Sequence, residues 1–256
     1  MPNTTRQNLR TPGPTPIPDD IVEAMSDPMI NHRGPEFGEM IHKTTEQLKQ
    51  VFMTKNDLYI LTASGTGSLE ASIVNTLSPG DKVIAATAGA FGERFVDMVE
   101  AYGANIIRMD FEWGGPMDPD AIRKALQADP DIKAVLVTHN ETSTGVTHPV
   151  EEIAKVVKGE FDKLLLVDAV SSLGCIPLPV DAWDCDMVGT ASQKGFMIPP
   201  GLSFISVSER AWEAQKTAKM PRFYFDLSMA KQYLEQGQTP FTPNLSAMYA
   251  LSKALY

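Results

Sequence analysis

Lys163-Leu164-Leu165-Leu166-Val167-Asp168-Ala169-Val170-Ser171-Ser172 sets a carboxylate directly after four consecutive apolar residues. A run with no polar alternation suits a strand covered on both faces, the condition of a parallel sheet flanked by helices. Outward from it the same unit recurs. Strand-like runs at Leu58–Thr62, Lys82–Ala86, Asn105–Met109, Ala134–Thr138, Met187–Ala191 and Ser203–Val207 alternate with helical spacing over Gly67–Leu77, Phe91–Tyr102, Pro119–Ala128 and Val150–Val157. This predicts an α/β fold with a mostly parallel sheet and helices on both faces. Ligands in such sheets sit at the carboxyl ends of the strands, so the chemistry is sought where strands stop.

The flanks read differently. Thr11-Pro12-Gly13-Pro14-Thr15-Pro16-Ile17-Pro18 holds four prolines in eight positions and predicts an extended arm, counted over residues 1–18. Helix starts follow at Asp19-Asp20 and Pro35-Glu36, the second leading an apolar helical pattern to Met53. At the other end Pro243 to Tyr256 has helical spacing with no Gly or Pro stop, which reads as a chain cut within its pattern.

With 256 residues and 43% hydrophobic content the chain has the material for one large domain, here residues 19–256. A net charge of −10 argues against a nucleic-acid surface, which clusters Lys and Arg to displace counterions. Cys175 and Cys185 form no CxxC pair, and no run approaches the roughly 20 apolar residues that cross a bilayer, so reduced thiols and a cytoplasmic location are expected. His32, His42, His139 and His148 have no metal-ligand spacing, and no metal is expected.

Three strand ends carry candidate chemistry. Thr62-Ala63-Ser64-Gly65-Thr66-Gly67 is a glycine-rich turn into a helix, a setting whose N–H groups favour a phosphate. It is no Walker loop, and Glu70 stands where a dinucleotide fingerprint has its third glycine. Asp168 closes an apolar strand, a costly place for a carboxylate unless a cation meets it. Lys194, in Ser192-Gln193-Lys194-Gly195, follows another apolar strand and is placed to form an imine with an aldehyde. Each alone has a plain structural reading: a tight turn, a helix cap, a solvated lysine. Together they match the phosphate, ring nitrogen and aldehyde of one cofactor.

Taken in order, Ser64-Gly65-Thr66-Gly67, His139-Asn140-Glu141-Thr142-Ser143-Thr144-Gly145, Val167-Asp168-Ala169-Val170-Ser171-Ser172-Leu173-Gly174 and Ser192-Gln193-Lys194-Gly195 resemble the class V aminotransferases of the alanine–glyoxylate and serine–glyoxylate group. The resemblance runs from Pro12 to the end. It implies the large domain of a fold-type I transferase, without the C-terminal small domain, binding pyridoxal 5′-phosphate as a Schiff base on Lys194. It also implies roles by motif: Ser64, Gly65, Thr66 and Gln193 at the phosphate, Phe91 stacked on the ring, Val170 on the opposite face, Thr142 at the ring hydroxyl and Asp168 at the ring nitrogen. Lys194 and Asp168 would be the catalytic pair. Thr242 would reach a neighbouring subunit's phosphate, which implies a homodimer.

The activity so implied moves an amino group from alanine or serine to glyoxylate or another small 2-oxo acid. The family binds the substrate carboxylate with an arginine in the C-terminal domain; Arg222 lies outside that motif. Two other readings stay open. One is a non-catalytic cofactor-binding or dimerisation fragment, the other a nucleotide-dependent oxidoreductase, which Glu70 and the missing ribose acid oppose.

Overall fold

The computed structural model describes residues 9–256, so the expected arm is described only from Leu9 onward. Two helices, α1 (Asp19–Ala24) and α2 (Pro35–Phe52), precede the first strand, β1 (Asp57–Leu61). In α2, Pro35 opens the helix with its preset φ and Glu36 lies in the favourable first turn. Phe37, Ile41, Leu48 and Phe52 bury one face, and Met53 ends the helix in the left-handed conformation at φ 50°.

Strands and helices then alternate through α3 (Gly65–Thr76), β2 (Lys82–Thr87), α4 (Ala90–Ala101), β3 (Asn105–Asp110), α5 (Pro119–Ala128) and β4 (Ala134–Thr138). A small hairpin follows, β5 (Asn140–Glu141) with β6 (Val146–Thr147). Helix α6 (Val150–Ala154) tightens no further but widens into a π-helical turn over Lys155–Glu160. Then come β7 (Leu164–Asp168), β8 (Met187–Ala191) and β9 (Ser203–Val207), and the helices α7 (Glu209–Gln215), α8 (Leu227–Leu234) and α9 (Leu245–Ala254). The last begins not at Pro243 but after Asn244, whose side chain accepts from the Ala247 N–H.

The main sheet runs in the order β1-β9-β8-β7-β4-β2-β3. Pairings from β8 through β3 are parallel. Strand β9 is antiparallel to both β8 and β1, so β1 again points with the parallel set. The carboxyl ends of β1, β2, β4, β7 and β8 therefore share one rim of the sheet.

Two apolar clusters lie on the two faces, and the strands divide between them with period two. Leu165 and Val167 join the face covered by α2, α5, α6 and α9, whereas Leu164 and Leu166 join the face covered by α3, α4, α7 and α8. All four are buried, which stabilises the fold by about 1.5–3 kcal/mol each. This double cover is the reason the run has no polar alternation. Among the described residues no helix is long and apolar enough to cross a membrane.

Candidate functional site

Four strand-end segments meet at the shared rim. Asp168 is the last residue of β7, Lys194 follows the end of β8, and Ser64 follows the end of β1 and precedes α3 with extended backbone. Phe91 lies in the first turn of α4, just after β2. Around them is a cavity of about 240 Å³ lined by Ser64, Gly65, Thr66, Phe91, Asp168, Val170, Gln193 and Lys194. Eight of the ten residues implied by motif are thus brought together.

The other two stand apart. Thr142 is half-buried on the β5–β6 turn, and Thr242 is exposed in the loop before α9; neither is in the cavity lining. Sequence reasoning had not singled out Gly13, Pro14, Leu69, Arg94 and Pro200, which complete the wall. Only Gly13 and Pro14 carried a signal, as part of the proline-rich run, and that run had been read for its shape alone.

The arm covers the lysine. Thr15 N–H donates to the Gln193 carbonyl at 3.1 Å, and Lys194 Nζ donates to the Pro12 carbonyl at 3.3 Å. Between them Gly13 lies so close that a β-carbon there would sit 2.7 Å from Lys194 Cδ, Cε and Nζ. Since the intruded atoms are the free end of a flexible side chain, Gly13→Ala is expected to displace the amine and leave stability nearly unchanged. A melting temperature like the parent's, with covalent attachment of an added pyridoxal aldehyde slowed by about tenfold to a hundredfold, is the predicted pair of readings. Unchanged attachment would show that the arm does not set the lysine's position.

Electrostatics separate the two charged residues. Asp168 Oδ1 accepts from the Val170 N–H at 2.8 Å, yet burial, with a smaller push from Glu141, raises its carboxyl to about 7. Arg94 and Lys194 act in the other direction without cancelling that burial. Lys194 has its pKa lowered, first by desolvation and against the pull of Asp168. A buried carboxyl short of positive charge and an amine made easier to deprotonate are therefore walls of one cavity.

The remaining lining is polar and short of partners. The Gln193 Oε1 is buried with no hydrogen-bond partner, and the Ser64 side chain accepts nothing from α3. The Gly67 N–H donates to the Ser64 carbonyl at 2.9 Å, which leaves the N–H groups of Gly65 and Thr66 to a ligand, in the field of the helix's positive end. Arg94 places its guanidinium 5.0 Å from the centre of the Phe91 ring. Glu70 accepts a hydrogen bond from the Tyr102 hydroxyl on the neighbouring helix. Among the described residues no group of three or more His, Cys, Asp or Glu is placed to hold a metal ion.

A family model described as aminotransferase class-V matches residues 8–256. The chain is similar to the soluble hydrogenase 42 kDa subunit of Anabaena cylindrica, with 47% identity over 96% of this chain and 65% of that one. It is similar to the serine–glyoxylate aminotransferase of Methylorubrum extorquens, with 39% identity over 98% of this chain and 64% of that one. Among solved structures, the alanine–glyoxylate aminotransferase of Nostoc sp. matches with a TM-score of 0.91 and 32% identity, over 98% of this chain and 69% of that one. The chain spans about 65% of the length of the curated relatives it matches.

Proposed function

The chain belongs to the class-V aminotransferase family, and from that premise we propose that it transfers an amino group from alanine or serine to glyoxylate or another small 2-oxo acid. The family implies pyridoxal 5′-phosphate as cofactor, and the residues present fit it. The observation that carries the reading is the cavity wall itself: a cation-poor buried carboxyl, an activated amine and an uncapped helix end border one space. A protonated ring nitrogen, an aldehyde and a phosphate are the three groups that this wall asks for.

In this reading Lys194 holds the cofactor through a Schiff base, and Ser64, Gly65, Thr66 and Gln193 hold its phosphate. Phe91 and Val170 bracket the ring, and Thr142 approaches the ring hydroxyl from the β5–β6 turn. When bound, the cofactor supplies an electron sink for the bonds broken at the substrate's α-carbon. Asp168 keeps a proton on the ring nitrogen by presenting a carboxylate to it. Lys194 Nζ would both hold the cofactor and carry the proton of the substrate's α-carbon; its lowered pKa favours the neutral, basic form. The arm at Pro12 and Gly13 lies against that nitrogen and shields part of it from water.

A homodimer belongs to the same reading. Phe223 and Tyr224 are 70% and 46% exposed, and Tyr224 stacks on Phe241 with ring centres 4.9 Å apart. This apolar patch adjoins Thr242 and is tied to the phosphate turn, because the Tyr224 hydroxyl donates to the Thr62 carbonyl at 3.1 Å. Burying it against a second copy would carry Thr242 toward that copy's cofactor site. Both cysteines are free thiols, in keeping with a cytoplasmic setting.

The alternative is a unit that binds cofactor or dimerises without turning over; the chain matches 65% of the length of the Anabaena cylindrica relative. The test is amino transfer by the pyridoxal-phosphate-loaded protein, with alanine, serine and aspartate each offered against glyoxylate. Glycine formed at a steady rate from alanine or serine is the expected result. Bound cofactor with no turnover for any donor would select the alternative, and turnover with aspartate alone would correct the donor.

A further inference from the structure

Glu141 is 1% exposed and carries a carboxylate that serves two separate segments. Its Oε2 accepts from the Phe91 N–H at 3.1 Å and the Gly92 N–H at 3.0 Å. Its Oε1 accepts from the Ser143 N–H at 3.0 Å and from the Ser143 hydroxyl at 2.6 Å. The Ser143 Oγ accepts in turn from the Ala90 N–H at 3.0 Å. The first three N–H groups of α4, which a helix leaves without internal acceptors, thus end on one cluster built around the buried Glu141 carboxylate.

The helix cannot cap itself. Gly89, at its N-cap, has no side chain, and a β-carbon there would lie 2.4 Å from Glu141 Cγ. Glycine at 89 is what admits the carboxylate. The acceptor is the last residue of β5, immediately before Thr142 at the start of the hairpin turn, while the donors come from the turn that carries Phe91. One side chain therefore fastens together two segments that the cofactor reading places on the same ring, and its charge also adds to the burial that raises Asp168.

We propose that Glu141 is a positioning residue: it clasps the β5–β6 turn to the start of α4 and so holds the Phe91 platform and Thr142 in fixed relation to the cofactor ring. This rests on the cofactor reading above. Glu141→Gln keeps the size but turns an NH₂ group toward N–H donors, so about half the clasp is lost without a cavity. Glu141→Asp keeps the charge on a shorter reach.

The experiment has two readouts. Pyridoxal phosphate is titrated by absorbance into the parent, Glu141→Gln, Phe91→Ala and the double variant, and amide exchange of residues 90–92 and 142–144 is followed in the cofactor-free proteins. Glu141→Gln is expected to weaken binding by about tenfold to a hundredfold, as for loss of hydrogen bonds to a charged group. It should speed exchange in both segments and lose little further affinity in the Phe91→Ala background, since it acts through that ring. Glu141→Asp should recover part of the affinity. Parent-like binding by Glu141→Gln, or a loss fully additive with Phe91→Ala, overturns the proposal. Should Glu141→Gln fail to fold, Ser143→Ala removes one donor of the clasp, and parent-like affinity in that variant overturns it equally. If the parent itself bound no pyridoxal phosphate, the functional reading would fail; unchanged exchange in the variant would then still count against the clasp, and faster exchange in both segments for it.

Discussion

Lys194→Ala is expected to lower amino transfer by at least about 10³-fold while leaving the melting temperature close to the parent's. The rate loss follows from removing both the covalent anchor and the proton carrier, and general acid–base action alone contributes typically about 10²–10⁴-fold. The small stability change follows from placement. Lys194 is half-buried on a loop, its amine donates to the Pro12 carbonyl, and its stem fills space against Gly13. Steady-state rates and thermal melts on the same preparations check both halves. A variant that exchanged amino groups at the parent rate would remove the lysine from the mechanism.

Asp168→Asn has the second-largest expected effect and a distinctive pH signature. In the cofactor-free protein the folded carboxyl titrates at about 7 against an unfolded value near 3.8. The folded state therefore holds a proton that the unfolded chain has released. The associated stability is fully present below about pH 4 and is lost as pH rises through 7, a change on the order of 4 kcal/mol at most. Asparagine cannot ionise, so the variant should keep its stability where the parent declines, and the gap between them should open between about pH 4 and 8. His139 works in the other direction, because burial and then His148 lower its imidazole to about 4. That contribution is common to both proteins and cancels in their difference.

Cofactor should reverse the order. A protonated ring nitrogen supplies the missing cation, so pyridoxal phosphate should stabilise the parent more than the variant at pH 8. Amino transfer by Asp168→Asn should fall by about 10²–10³-fold, the usual scale for losing one preorganised electrostatic group. Denaturant titrations at pH 5 and pH 8, with and without cofactor, test this. Parallel pH curves for the two proteins would mean that Asp168 is not the buried acid described above.

The sheet and its working rim were legible because their causes are local. Leu164 to Val167 show no alternation because helices cover both faces, and the residues after each strand announce the rim by breaking the apolar run with Asp168, Gln193-Lys194 or Ser64-Gly65. The antiparallel course of β9 was not legible, since Ser203–Val207 looks like any other buried strand and direction is a property of pairing. Helices α7 and α8 were passed over because their short patterns bury few positions: only Ala211 in α7, and Leu227 and Ala230 in α8. At the site, the arm over Lys194 and the clasp at Glu141 escaped for a shared reason. Both join residues far apart in sequence, 182 positions from Pro12 to Lys194 and 50 from Phe91 to Glu141, and no period or spacing encodes such contacts.

The central claim is that one lysine carries the cofactor. Its most direct measurement is borohydride reduction of the pyridoxal-phosphate-loaded protein, followed by digestion and mass mapping of the modified peptide. The account predicts a single pyridoxyl group on Lys194, within Ala191-Ser192-Gln193-Lys194-Gly195. A pyridoxyl group on another lysine, or none on Lys194, would contradict it.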